Sequence, residues 1–375
     1  MDYQASTPED PRVTAAMAPF QTRRFGNPHA SNHAFGWDAD AAIDDARLRI
    51  GLTIGADRNE IVFTSGATES NNLAVIGAAR AAPPSRRRIL VSAIEHKCVL
   101  GAARSLEQEG FTVETIPVDA DGFIRPTDVA ARVDECTALV SVMAVNNEVG
   151  TVQPIAEIAA AVHAVGAIFH SDAAQALAVV PIDVVAMGVD LLSLSGHKAY
   201  GPKGIGALYV GHHLSPRPRP LFHGGGQEGG LRPGTLPTPL CVGFGAACDI
   251  IRAERDAEVE RLASLRQKLL CLLVAMVPVL KVNGRPGHPG NLNLRFPGVD
   301  AFLLLNDLQP SLAASTGSAC TSGIPEPSHV LRAMGKTAEE ADESIRLSLG
   351  RFTKHSDVEA AAELISSAVR RLSDL

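Results

Sequence analysis

The sequence predicts an α/β fold built on a mostly parallel sheet with helices on both faces. Three observations predict it. Between about residues 40 and 210, short apolar runs of strand length alternate with alanine-rich stretches of 3.6-residue periodicity. Seven such runs occur, and their nearly continuous hydrophobicity suits a sheet buried on both sides. Polar clusters follow several of the runs, and ligands of such sheets sit beyond the carboxyl ends of strands.

The candidate strands are Ile61 to Thr64, Ile89 to Ser92, Thr112 to Pro117, Ala138 to Met143, Ala167 to Ser171, Asp190 to Leu194 and Ile205 to Val210. Pro154 to Val165 typifies the helical pattern between them. Residues 215–230, rich in Pro and Gly, break the alternation and read as a loop. A helical zone from about Thr238 to Met276 follows and carries the chain into a second domain. That domain ends in an amphipathic helix over about Ser356 to Leu372. At 375 residues there is length for two substantial cores. We expect a large domain at 10–250 and a smaller α+β domain made of 1–9 and 251–375.

A net charge of −7 gives no overall attraction to nucleic acid or an anionic membrane. Aromatic residues are too few for base-stacking platforms. The basic triplet Arg86-Arg87-Arg88 reads as solvated strand entry, so no direct nucleic-acid binding is expected. The longest apolar run, Leu269 to Leu280, is short of a transmembrane span and suits a buried helix. No signal-peptide pattern opens the chain, and the expected location is the cytoplasm. The six cysteines, Cys98, Cys136, Cys241, Cys248, Cys271 and Cys320, form no C-x-x-C pair. Their spacing suggests neither a disulfide framework nor a metal site, and a reducing compartment is the default. Five of them are expected to pack in apolar surroundings. Cys320 stands apart, in a loop of small and polar residues.

The chemistry gathers after the strands. The run ending at Leu194 turns abruptly into Ser195, Gly196, His197 and Lys198. A lysine at the end of a buried strand is partly desolvated, which favours its neutral, nucleophilic amine. Such a lysine can form a Schiff base with the aldehyde of pyridoxal phosphate (PLP). Ser195 and His197 beside it can hold a phosphate. After Thr64, the cluster from Ser65 to Asn72 opens a helix whose free N–H groups, with the Thr68 hydroxyl, can bind phosphate or simply cap the helix. His96 follows the second run, where an imidazole can stack on a planar cofactor, move protons, or sit satisfied in the core. Asn146 and Asn147 follow the fourth run, where amides bind ligands or make turns. Asp172 follows the fifth; a carboxylate this deep is costly unless paired, and a protonated pyridine nitrogen is a fitting partner. Phosphate loop, ring-stacking histidine, carboxylate and Schiff-base lysine occur together at successive strand ends, which is far more specific than any one of them.

The segments Thr64 to Asn72, Glu95 to Lys97, Asn146 to Gly150, Ser195 to Gly204 and Arg346 to Phe352 resemble those of the cysteine desulfurases. These are PLP enzymes of aminotransferase class V and fold type I. The resemblance runs from Asp2 to Phe352, and the loop Ser315 to Ser322 marks the branch with a long catalytic loop. It implies Lys198 as the Schiff-base lysine, His96 stacked on the ring and Asp172 on the pyridine nitrogen. It implies Gln175 at the phenolic oxygen, and Ala67, Thr68, Ser195 and His197 around the phosphate. Thr235 would reach the partner subunit's phosphate across a homodimer interface. Asn147, which would also touch the cofactor, and Arg346 would hold the carboxylate of L-cysteine. Cys320 would take the sulfur as a persulfide for a sulfur-acceptor protein, leaving L-alanine.

The implied fold is a mostly parallel seven-stranded sheet in the large domain plus the smaller α+β domain. Gly229 and His29 depart from the family pattern, at an arginine and a small residue respectively. The chain stops at Leu375, sooner after its last helix than members that feed iron–sulfur scaffolds. The final acceptor therefore stays open among iron–sulfur assembly, tRNA thiolation and DNA phosphorothioation. An aminotransferase of the same fold would not need Cys320. A non-catalytic sulfur carrier would not need Lys198, Asp172 and His96 as well. Cys98, two positions after His96, is the one other cysteine placed to face the site and is a candidate backup thiol.

Overall fold

The structure, a computed structural model, describes residues 1–285, 287–316 and 326–373. Cys320 lies outside the described residues. Strands β1 (Ile61–Thr64), β2 (Arg88–Ser92), β3 (Thr112–Ile116), β4 (Thr137–Ser141), β5 (Ile168–Asp172), β6 (Leu191–Ser195) and β7 (Gly206–Val210) form a seven-stranded sheet in the order β1-β7-β6-β5-β4-β2-β3. The pairs from β3 through β2, β4 and β5 to β6 are parallel, and β7 runs antiparallel to both β6 and β1. Each expected strand is present, β1 with the expected ends and the others with ends moved by at most two residues. A three-stranded antiparallel sheet follows, with β8 (Lys281–Asn283), β9 (Asn291–Arg295) and β10 (Ser344–Ser348) in the order β10-β9-β8.

The helices are α1 (Pro11–Thr22), α2 (Ala34–Ile54), α3 (Ala67–Ala81), α4 (Lys97–Ser105), α5 (Pro126–Ala130) and α6 (Ile155–His163). They continue as α7 (Val184–Met187), α8 (Thr238–Met276), α9 (Ala301–Asp307), α10 (His329–Ala333), α11 (Ala338–Asp342) and α12 (His355–Ser373). Parallel strands need crossover helices, and alanine-rich α3, α4 and α6 supply them with thin buried faces that pack close to the sheet.

Helix α8 changes its buried face along its length. Cys241, Phe244, Cys248 and Ile251 pack with the large sheet, whereas Leu262, Leu265, Leu269 and Leu273 pack with the small one. Both sets recur every three or four residues, as one helical face requires. Gly245 lets α8 approach α2 closely, since a Cβ there would lie 2.8 Å from the Ala46 Cα. The apolar run Leu269 to Leu280 is not wholly buried: the helix ends at Met276, and Val274, Met276 and Val279 are exposed. Nor do all the cysteines expected to pack do so. Cys241 and Cys248 are buried, but Cys136 and Cys271 are exposed. Cys136 sits beside Asp134, Glu135 and Thr137, whereas Cys271 lies among leucines but on the outward face of α8.

The first residues of the chain lie between the two sheets. Asp2 bridges to Ser348, and Thr7 N–H donates to the His197 carbonyl at 2.9 Å. Arg351 locks this junction. Its guanidinium donates to Asp10 at 2.8 Å and to Glu258 at 2.9 Å and lies 4.2 Å from the centre of the Tyr200 ring. All three charges are largely shielded from solvent. Removing one member of such a buried set strands its partners. Arg351→Ala should therefore lower unfolding stability by about 3 kcal/mol, measured by urea titration. Arg12 first, and Arg351 after it, hold the Asp10 carboxyl well below its ordinary range. The stabilisation from Asp10 is thus present at neutral pH and falls away as pH drops below the ordinary value of 3.8. An Arg351→Ala protein as stable as the parent at pH 7 would refute the junction's role.

Candidate active site

The carboxyl ends of β1, β2, β4, β5 and β6 surround one cavity of about 550 Å³. Of the residues expected from sequence, Ala67, Thr68, His96, Asn147, Asp172, Gln175, His197 and Lys198 line it. Ser195, Arg346 and Thr235 do not. Ser195 lies buried just beneath, Arg346 lies buried on β10, and Thr235 is exposed in the loop before α8.

Strand β6 is buried throughout and ends in a tight turn over Gly196–Lys198, which presents the lysine to the cavity. Burial, with the Arg346 charge adding, pushes the Lys198 ammonium down to about 8. Its Nζ donates to the Gln4 carbonyl at 2.7 Å, and the Gln175 amide donates to the same oxygen at 2.9 Å. Asp172 closes β5. Its carboxylate accepts from Asn71 Nδ2 at 2.6 Å and from the Ala174 N–H at 2.9 Å.

His96 is the N-cap of α4, and its Nδ1 accepts the Cys98 N–H at 3.2 Å. That contact leaves the proton of the neutral ring on Nε2. Burial lowers its pKa from the ordinary value, although Asp172 opposes the shift. His197 is also held neutral, pushed down to about 4 by burial and then by Lys198, and its Nδ1 lies 3.2 Å from the Ser6 hydroxyl.

The start of α3 forms the cavity's far wall. Gly66 caps it with φ of 148°, a conformation L residues avoid, and among the described residues no side chain caps its first N–H groups. The turn packs against Gly206 on β7, where a Cβ would lie 2.6 Å from the Gly66 Cα and 2.5 Å from the Leu194 carbonyl. Unsatisfied helix N–H groups with a nearby hydroxyl form an anion site. Ser195, which pairs with Gly206, has a buried Oγ with no hydrogen-bond partner among the described residues. These features fit PLP: unmet donors for a phosphate, a buried carboxylate for a pyridine nitrogen, and a depressed lysine for an aldehyde.

Arg346 Nη2 donates to the Asp2 carboxylate and Nη1 to the Asn147 carbonyl, each at 2.7 Å. A guanidinium already holding one carboxylate beside the cavity is built for that class of anion. Gln4 and Asn71 escaped the sequence reading. Gln4 works through its backbone carbonyl, for which no residue type is a signal. Asn71 did carry one: it stands three positions after Thr68, on the same face of a helix. Cys98 does line the cavity, but burial and then the Asp172 charge push its thiol up to about 11. It is a protonated group at neutral pH and a poor backup nucleophile.

The depressed lysine makes a measurable prediction. In the full chain freed of cofactor, the rate at which Lys198 captures an aldehyde should rise through a midpoint near pH 8, because only the neutral amine adds. A midpoint at the ordinary 10.5 would mean the amine is solvated.

Comparison with known proteins places this arrangement. The aminotransferase class-V family model matches residues 1–361. The chain is similar to "Cysteine desulfurase IscS" of Rickettsia akari, 48% identical over 377 aligned positions that cover 100% of this chain and 92% of that protein. A solved structure described as "NIFS-LIKE PROTEIN" superposes with a TM-score of 0.91 at 34% identity, covering 100% of this chain and 99% of that one. Another, "SspA in complex with cysteine", superposes with a TM-score of 0.84 at 40% identity, covering 94% of this chain and 99% of that one. The chain therefore belongs to the aminotransferase class-V family, among the cysteine desulfurases.

Proposed function

We propose that this protein takes the sulfur of L-cysteine onto Cys320 as a persulfide, releases L-alanine, and uses PLP held on Lys198. The observation that carries the reading is the meeting of a depressed lysine, a buried carboxylate and a neutral imidazole in one cavity. The solved relative that holds cysteine supports the substrate. PLP bound there would supply an electron sink for charge developing at the substrate's α-carbon.

The protein's own residues do the rest. Asp172 would keep a ring nitrogen protonated, and Asn71 holds that carboxylate in place. Ala67, Thr68, Ser195 and His197 would hold the phosphate, while Gln175 would face the phenolic oxygen. His96, neutral and anchored at the start of α4, would lie against the ring. Arg346 and Asn147 would bind the substrate carboxylate, which would share Arg346 with Asp2. Once free, the neutral amine of Lys198 would accept the α-proton, consistent with its value of about 8. The Cys320 thiolate would then attack the substrate sulfur. An S–S bond forms, the C–S bond breaks with its electron pair returning to carbon, that carbon takes a proton, and the proton held by Lys198 returns to the α-carbon to give alanine.

We also assign the chain to a cytoplasmic homodimer in which Thr235 serves the partner subunit's site, with a sulfur-acceptor protein as the final recipient. Residues 10–250 would form the cofactor domain, and 1–9 with 251–375 the domain that brings Cys320. The change of buried face along α8 supports that division. Among the described residues, no helix is long and apolar enough to cross a membrane.

The test is L-cysteine turnover by the full chain. Cys320→Ala should keep its visible cofactor band and the band's shift on adding L-cysteine, yet release alanine only at background and carry no persulfide. Asp172→Ala should lose both cofactor retention and turnover. Alanine at the parental rate from Cys320→Ala would overturn the proposed sulfur transfer.

A further inference from the structure

Cys98 lines the cavity but has no task in this mechanism. It reaches three other residues at once. Its Sγ lies 2.9 Å from His96 Nδ1 and 3.2 Å from Asn71 Nδ2, and the Thr68 side chain also hydrogen-bonds it. Asn71 is fully buried and spends its other amide proton on Asp172, at 2.6 Å. The donors are therefore ordered. Asn71 donates to the Asp172 carboxylate and to the Cys98 sulfur, and the thiol S–H can in turn donate to His96 Nδ1. Only a protonated thiol completes this chain, and burial keeps the thiol protonated.

We propose that Cys98 is a positioning residue: its thiol ties the Asn71–Asp172 pair to His96 and so sets the tautomer and tilt of the imidazole that faces the cofactor. The proposal rests on the PLP reading above. It assigns to Cys98 no sulfur transfer and no part in turnover except through His96. The backbone N–H of Cys98 reaches Nδ1 at 3.2 Å and also favours this tautomer. The thiol adds a second donor and, unlike the backbone, links the ring through Asn71 to Asp172 at the end of β5.

The test compares Cys98→Ala and Cys98→Ser in the full chain. Serine keeps a donor and an acceptor, while alanine keeps neither. In PLP-loaded protein, Cys98→Ala should weaken PLP binding roughly five- to tenfold, as expected for one lost buried hydrogen bond, and Cys98→Ser should restore most of it. In the same chain freed of PLP and carrying ¹⁵N-labelled histidine, the His96 titration midpoint should move upward in Cys98→Ala, because the lost donor favoured the neutral ring. The charged groups facing His96 are Asp172, Lys198, His329 and Lys97, and all are unchanged by either substitution.

Asn71→Leu breaks the chain from its other end. Combining it with Cys98→Ala should cost less than the sum of the two single effects, since both cut one network. Equal behaviour of Cys98→Ala and the parent in PLP binding and in the His96 titration would overturn the proposal. So would loss in Cys98→Ser as large as in Cys98→Ala, which would make the position a matter of packing alone. A parent that binds no PLP would instead overturn the cofactor reading itself, and the His96 titration would still judge the network.

Discussion

The arrangement depends on one constraint: an amine is held at the end of a fully buried strand, where water cannot stabilise its charge. Strand β6 is buried from Leu191 to Ser195, and the turn after it leaves Lys198 largely enclosed. Desolvation is the leading cause of the depressed pKa, and Arg346 adds to it. Asp172 and Asp2 pull the other way, which leaves a value of about 8, neither a permanent cation nor a permanent base. A group poised there can exchange a proton in both directions near neutrality.

Keeping that end dry falls to residues far apart in sequence. The Gln4 carbonyl caps the amine, and Asn291 holds the Gln4 side chain at 2.6 Å. The Gln4 N–H is held by the Ser348 hydroxyl at 2.9 Å. The small sheet thus contributes to the site through the first residues of the chain, and Arg351 ties the same residues to α8 through Asp10 and Glu258. A Schiff-base lysine set by strand burial is in this way coupled to the packing of both sheets.

The strands were legible because each is a short apolar run followed by a polar break, and burial on both faces makes that contrast sharp. The residues on those breaks, Lys198, Asp172, His96 and Thr68, converge because parallel strands place their carboxyl ends side by side. Residues contributed from outside the strand ends were harder to read. Arg346 was found through resemblance, and in the fold its guanidinium is already engaged by Asp2 and Asn147. Gln4 left no trace in the sequence because its backbone does the work. The exposure of Cys136 and Cys271 shows the limit of judging burial from neighbouring residues alone, since helix and turn geometry decides which way a side chain faces.

The claim on which all else rests is that Lys198 is the amine that holds PLP. Borohydride reduction of the purified, PLP-loaded protein followed by peptide mapping tests it directly. The account predicts a pyridoxyl mass on the peptide containing Lys198, and its loss in Lys198→Ala. The same mass on a peptide containing Lys203 or any other lysine, with Lys198 unmodified, would contradict it.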